Sequence, residues 1–360
     1  MYYQFLHSTD VKQIGNLFMG NNIHIGIRFV SNEKRLERII LLDIRTQKKL
    51  SIDISQTCDK IVGKVDVICI NSDCPVRRCA TRNNLTIYTW PHTVPDNIYD
   101  VGVVVSFGHM IPAENILACK YGIINAHPSL LPRWRGAAPI VHTILNGDSE
   151  TGVTITQVSP NKFDVGNILM QEKYKIPVEC SAQTLTSELS KVAADLVMKT
   201  LKNLPSSIKS GYPQPKEGAT FMLVKLNHIK VILIGKDTNL LIYRKFKAFD
   251  GFFDLYTFWQ SMKVILLEFV AISDVEKANV SSLIKFPVHP GFCYFHKKRK
   301  ILFVKCQDGW CGILSIKIPK KGKKLRLRTF TMALYPKWKR MSVIFIQMII
   351  KLFLLNDIDS

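Results

Sequence analysis

From residue 64 onward the chain alternates short apolar runs with amphipathic stretches. Lys64–Ile70 (KVDVICI) alternates into an apolar run and predicts a strand, which the turn residues Asn71–Pro75 end. Leu85–Tyr88 predicts a second short strand. Val101–Phe107 (VGVVVSF) predicts a third, apolar on both faces as buried parallel strands are, and Gly122–Ala126 a fourth. Pro139–Leu145 opens a helix with proline early in it, where a missing N–H costs little. Thr151–Val158 and Ile168–Tyr174 predict two more strands. Between Ser181 and Leu204, residues Leu185, Leu189, Val192, Leu196 and Leu201 fall close to one face of a helix. Strands alternating with helices predict an α/β domain built on a parallel sheet.

The pattern changes after that helix. Residues Ser206–Gly218 are rich in Pro, Gly, Ser and Lys and read as a linker. Beyond them come short β-like runs at Val231–Leu233 and Val264–Ile272, then a hairpin-like stretch, Ile301–Ile318, turning at Asp308–Gly309. This predicts a small β-barrel domain. Residues 1–60 contain Gly15, Gly20 and Gly26 but no strand, glycine turn and helix unit, so they stay unassigned. The tail Met341–Leu355 is nearly all apolar but short for a membrane span and interrupted by Lys351; it reads as a buried helix.

Charge separates the two halves. The 360-residue chain carries a formal net charge of +21. Residues 1–200 hold 21 Lys and Arg against 18 Asp and Glu, a net of +3, whereas residues 201–360 hold 28 against 10, a net of +18. The first half has the balance of an ordinary enzyme domain, and the second is basic enough to hold a polyanion. Nine cysteines without any CxxC spacing argue against a zinc site, so no metal is expected; their odd number, without a secretory signal, predicts reduced thiols inside the cell. The first residues form neither a signal peptide nor an Arg-bearing presequence.

The stretch Asn125–Pro139 (NAHPSLLPRWRGAAP) carries the chemistry. Asn125 and His127 lie two apart at the end of an apolar strand, so their side chains share a face. Ligands of open α/β sheets bind beyond the carboxyl ends of strands. An amide donor and an imidazole, which exchanges protons near neutral pH, then face one crevice. Taken alone, an Asn and a His at this spacing are more often structural residues.

The whole string, extended to Ile140, resembles the signature of folate-dependent formyltransferases, and its RWRGAAP ending resembles the methionyl-tRNA formyltransferase branch of that family. Three further stretches are similar to family segments: Gly147–Glu172, where Asp164-Val165-Gly166 matches the loop carrying a catalytic Asp; Tyr99–Pro112, beside the folate pocket; and Lys202–Thr220, the junction into a tRNA-binding domain. The likeness covers roughly residues 61–222 strongly, and in FDVG and the junction is nearest to mitochondrial forms from animals.

The resemblance implies a Rossmann-like parallel-sheet formyltransferase domain over 61–205, a linker at 206–222, a basic OB-like β-barrel that binds tRNA over 223–335, and an atypical tail at 336–360. It implies Asn125, His127 and Asp164 as catalytic residues and Ser129, Leu130, Leu131 and Pro132 as binding tetrahydrofolate, with Phe107–Ile111 a second wall. The co-substrate implied is 10-formyltetrahydrofolate, without a metal. The partner is initiator methionyl-tRNA, the location is mitochondrial, and a monomer with no membrane contact is expected. Arg133 and Arg135 suit a phosphate or the folate glutamate carboxylate, Trp134 suits either packing or binding, and Arg77 and Arg78 are placed in a loop near the tRNA acceptor end. The alternatives are another folate-dependent formyltransferase or hydrolase, and a catalytically impaired tRNA-binding relative. The family's opening strand and Phe-Gly-Thr turn have no counterpart in residues 23–50, which predicts a defective sheet there.

Overall fold

The structure is a computed structural model that describes residues 36–43, 62–222, 237–250, 254–259, 262–317 and 324–326. Val231–Leu233 and the tail Met341–Leu355 lie outside these. The chain divides into two compact units between Val224 and Lys225.

The first unit runs β1 (Leu36–Asp43), β2 (Val62–Cys69), α1 (Pro75–Arg82), β3 (Thr86–Thr89), β4 (Val101–Val105), α2 (Ala113–Leu117), β5 (Ile123–His127), β6 (Arg135–Gly136), α3 (Pro139–Asn146), β7 (Glu150–Gln157), β8 (Ile168–Lys175), α4 (Ala182–Lys202), α5 (Ser206–Lys209) and β9 (Phe221–Met222). Seven strands form one sheet in the order β3-β2-β1-β4-β5-β7-β8. The first five are parallel, and β7 and β8 extend the sheet antiparallel beyond β5. This is the α/β, Rossmann-like arrangement the alternation of strands and helices predicts.

The sheet overturns one expectation. Leu36–Asp43, from the stretch left unassigned, is the middle one of the five parallel strands: it pairs with β2 from Leu36↔Val62 to Leu42↔Ile68 and with β4 from Ile39↔Val101 to Asp43↔Val105. Its apolar run, Ile39–Leu42, is four residues long and follows Glu37 and Arg38. A run that short gives no periodicity to separate strand from helix, and no glycine turn marks its end. Strands on both sides, distant in sequence, decide its conformation.

Burial explains the middle of the sheet. All five residues of β4 are buried, and Ile68, Val104, Phe107, Ile116 and Ile123 share one core cluster. Side chains of this size are each worth about 1.5–3 kcal/mol when fully buried. Ser181 caps α4 by accepting from the Thr184 N–H, and Leu185, Leu189, Leu196 and Leu201 are buried on that helix. Val192 stays partly exposed.

The second unit contains α6 (Asn239–Phe249), β10 (Leu255–Trp259), β11 (Met262–Phe269), α7 (Ile272–Lys277), α8 (Val280–Leu283), β12 (Cys293–His296), β13 (Ile301–Lys305), β14 (Trp310–Lys317) and β15 (Lys324–Arg326). The predicted hairpin is present as β13–β14. The strands form an antiparallel sheet, β10-β11-β14-β13-β12, with β15 also on β14. The path is open among the described residues, so the sheet shows an antiparallel β domain and no closed barrel. No described helix is long and apolar enough to cross a membrane.

Candidate active site

β5 lies where the sheet changes from parallel to antiparallel, with β4 on one side and β7 on the other. Asn125 stands opposite Val104 and Thr156, and His127 opposite Thr154. The period of two places both side chains on one face, while Ala126 turns into the core at 6% exposure.

Asp164 comes to that face from the loop between β7 and β8. Its Oδ1 accepts from Asn125 Nδ2 at 3.1 Å and lies 3.5 Å from His127 Nδ1, and its Oδ2 accepts from the Gly136 N–H at 2.9 Å. The His127 and Asp164 side chains are only 6% and 11% exposed. The three residues therefore converge. Asp164 holds a left-handed backbone (φ 52°), uncommon for a residue with a side chain. Two glycines make the approach possible. Gly136 has φ 87°, and a Cβ on Gly166 would stand 1.7 Å from the Gln157 carbonyl oxygen, so the loop folds back onto β7 at a closeness only glycine permits.

His127 Nε2 lies 2.9 Å from the Trp134 carbonyl oxygen. A carbonyl only accepts, so Nε2 carries a hydrogen and Nδ1 is the ring atom left to exchange a proton beside Asp164.

The loop Ser129–Pro132 turns its polar groups inward. Ser129 Oγ donates to the Arg133 carbonyl (2.6 Å), the Leu131 N–H donates to Thr154 Oγ1 (3.1 Å), and the Leu131 carbonyl accepts from Gln171 Nε2 (3.1 Å). Leu131 and Pro132 are buried and Leu130 is half-buried. Beyond β3 and β4 the half-buried Trp90 meets the buried Phe107 edge-on (centroids 4.8 Å apart) and stacks on the half-buried His109 (5.8 Å).

Four arginines that sequence reading offered as anion or tRNA contacts have internal partners. Arg133 donates to both Asp148 oxygens, at 3.0 and 2.7 Å, and lies over the Trp134 ring. Trp134 Nε1 donates to Asp148 at 2.8 Å and its ring stacks on His142, so this tryptophan packs. The anion Arg133 binds is thus internal. Arg135 donates to Gln214 Oε1. Arg77 and Arg78 sit on helix α1, not in a loop: Arg77 donates to the Ile70 carbonyl and Thr89 Oγ1, and Arg78 pairs with Asp73.

The formyl transferase family model matches residues 92–201, which span β5, the signature loop and Asp164. The mitochondrial methionyl-tRNA formyltransferases of mouse and human are each 39% identical over 266 residues, 73% of this chain and 68% of theirs. The chain belongs to the methionyl-tRNA formyltransferase family. A Wolbachia methionyl-tRNA formyltransferase is 43% identical over 150 residues, 42% of this chain and 48% of its own. The solved sugar 3N-formyltransferase WlaRD shares the fold at a TM-score of 0.55 and 20% identity, over 78% of this chain and 97% of that one. HypX from Aquifex aeolicus does so at 0.56 and 16%, over 86% and 50%.

For a methionyl-tRNA formyltransferase family member, the presumed linker holds what sequence reasoning missed. Tyr212 bridges to Ile168 in both directions, Gln214 bonds to Asp164, Gly166 and Arg135, and Thr220 bonds to Pro132, Trp134 and Arg135. Phe221 and Met222 then pair with Arg135 and Gly136. A stretch rich in Pro, Gly and Lys signals no such contacts, since partners about 50 to 90 residues away make them.

Proposed function

We infer that this chain transfers the formyl group of 10-formyltetrahydrofolate to the α-amino group of initiator methionyl-tRNA, in mitochondria. The observation that carries this reading is the meeting of Asn125 and His127, each within 3.5 Å of Asp164, at the carboxyl end of β5. A carboxamide, an imidazole and a carboxylate at the carboxyl end of an inner strand suit acyl transfer to an amine.

The folate co-substrate supplies the formyl carbon and takes back, at N10, the electron pair of the bond that breaks. The residues present fit it: the half-buried rings of Trp90 and His109, backed by the buried Phe107, lie beside β4, the strand whose Val104 pairs with Asn125. The Ser129–Pro132 loop is read as the opposite wall, with the half-buried Leu130 giving apolar surface and the buried Ser129, Leu131 and Pro132 fixing the loop through their engaged polar groups and packing.

Asn125 uses one amide hydrogen on Asp164; the other is available to the oxygen that becomes negative when the amine attacks. His127 accepts the proton lost by the attacking amine at Nδ1 and returns a proton as the C–N10 bond breaks. Asp164 faces that nitrogen and stabilises the ring while it is charged. No covalent enzyme intermediate is required, and Cys119 lies outside the signature, on the core side at 3% exposure.

The second unit is read as the tRNA-binding domain, an OB-like barrel to which β10–β15 contribute strands. Residues 225–360 hold 25 Lys and Arg against 9 Asp and Glu, a net of +16, which supports phosphate binding there. The protein is read as a monomer working without a metal.

The test is formylation of charged initiator tRNA with 10-formyltetrahydrofolate. Transfer supports the reading. Folate hydrolysis without transfer makes the chain a hydrolase, and tRNA retention without turnover makes it a binding relative; either outcome overturns it.

A further inference from the structure

Gln214 uses its whole hydrogen-bonding capacity on the two loops that carry the reacting groups. Nε2 donates to the Asp164 carbonyl and to the Gly166 carbonyl, both at 2.9 Å. Oε1 accepts from Arg135 Nε at 2.9 Å and Nη2 at 2.7 Å. Two donors and two lone pairs are all a carboxamide has, and no other neutral side chain of this reach supplies both.

The placement of these four bonds matters more than their number. Asp164 stands in the left-handed region, where an aspartate persists only if its surroundings hold it. Gln214 grips the main chain of Asp164 itself and that of Gly166, two residues on. At its other end it grips Arg135, whose neighbours hold the catalytic side chains: the Gly136 N–H donates to Asp164, and the Trp134 carbonyl accepts from His127. The bonds therefore close a ring through Asp164, Gln214, Arg135, Gly136 and back to the Asp164 carboxylate.

The segment bearing Gln214 is itself stiff. Pro213 and Pro215 flank it, restricting the backbone on both sides. Tyr212 is tied to Ile168 before it, and Thr220 to Pro132, Trp134 and Arg135 after it.

We propose that Gln214 is a positioning residue of the formyl transfer, a clasp that sets the Asp164 carboxylate against Asn125 and His127. The segment from Tyr212 to Met222 is then part of the catalytic apparatus and not a passive connection. This rests on the formyl-transfer reading for its kinetic consequence, but not for its structural one. Gln214 touches no substrate in this account and acts through Asp164.

Two variants and two readouts test it. Gln214→Leu removes all four bonds. Gln214→Glu keeps the acceptors facing Arg135 but turns an oxygen toward the carbonyls of Asp164 and Gly166. Both are expected to lower kcat about 10²-fold, the usual cost of a displacement near 1 Å at a reacting group. KM for charged tRNA should stay within about twofold, because neither variant touches the second unit or its charge. In an Asp164→Ala background Gln214→Leu should cost less than about threefold more, since a residue acting through Asp164 has nothing left to position. The second readout is amide hydrogen exchange over residues 159–168 in the free full-length protein, expected to quicken in both variants. Near-normal kcat in an active protein, or a full further loss in the Asp164→Ala background, would overturn the clasp and leave the function standing. If the wild-type chain transfers no formyl group, the function falls and exchange decides: faster exchange supports the clasp, and unchanged exchange over 159–168 overturns it.

Discussion

His127 donates from Nε2 to the backbone carbonyl of Trp134, 2.9 Å away and seven residues along the same loop. The contact makes the tautomer of the candidate proton carrier a property of the main chain, independent of the side chain at 134. With Nε2 occupied, proton traffic falls to Nδ1, which faces Asp164 at 3.5 Å.

Replacing either member of the β5 pair should then stop chemistry without loosening tRNA. Asn125→Ala removes an oxyanion donor and should lower kcat about 10²–10³-fold. His127→Ala removes the proton carrier and should cost about 10²–10⁴-fold. Filter binding of charged initiator tRNA should change little in both. A variant turning over at the wild-type rate refutes the role given to that residue.

Gly166→Ala should damage the site by a different route. The new methyl would meet the Gln157 carbonyl oxygen at 1.7 Å, and backbone cannot rotate away as a side chain can. The Asp164 loop has to lift from β7. Denaturant unfolding should show a loss of about 1–3 kcal/mol, typical of overpacking, together with most of the activity. An alanine variant as stable and active as wild type would mean the loop does not lie on β7 as described.

His142 makes stability depend on pH. It is buried under Trp134, and burial pushes its pKa down from the ordinary 6.5 to about 4. Above pH 6.5 the ring is neutral folded or unfolded, and it contributes no pH dependence. Between 6.5 and 4 the unfolded chain takes up a proton that the folded protein refuses, so stability falls with pH and levels off below about 4. At ~1.36 kcal/mol per unit the full effect is about 3 kcal/mol. In urea titrations at pH 7 and 4.5, wild type should lose more stability on acidification than His142→Phe, which lacks the titrating ring; a variant that loses as much stability as wild type would exclude His142 as the cause.

Arg133 is the sharpest test of packing against ligand binding. Burial raises the pKa of Asp148, and hydrogen bonds from Arg133, Asn146 and Trp134 more than offset this, leaving it below the ordinary carboxylate value. The ionised pair therefore stabilises the fold above that range and is lost as pH falls through the Asp148 pKa. Arg133→Met should cost about 1–3 kcal/mol of stability near neutral pH, the scale of hydrogen bonds to a charged group. KM for the folate should barely move. A tenfold rise in that KM with unchanged stability would return Arg133 to the binding site.

The string from Asn125 to Pro139 determined much by itself. Residue order on a strand fixes which side chains share a face, so Asn125 and His127 were legible together, and the strand and helix spacing implied the α/β unit around them. Asp164 was legible through its resemblance alone, because no local rule brings residue 164 to residue 125; the fold-back onto Gln157 does that, and only Gly166 permits it. The inner strand Leu36–Asp43 was illegible for a related reason: a four-residue apolar run takes its conformation from β2 and β4, not from its own pattern. Arg133 read as an anion binder, and its chemistry does bind an anion, but which anion depended on Asp148 arriving across a helix. Gln214 and Thr220 gave no sign at all. Local order can specify what a residue is able to donate or accept; the partner it meets from 50 or 86 residues away is decided only when the chain closes on itself.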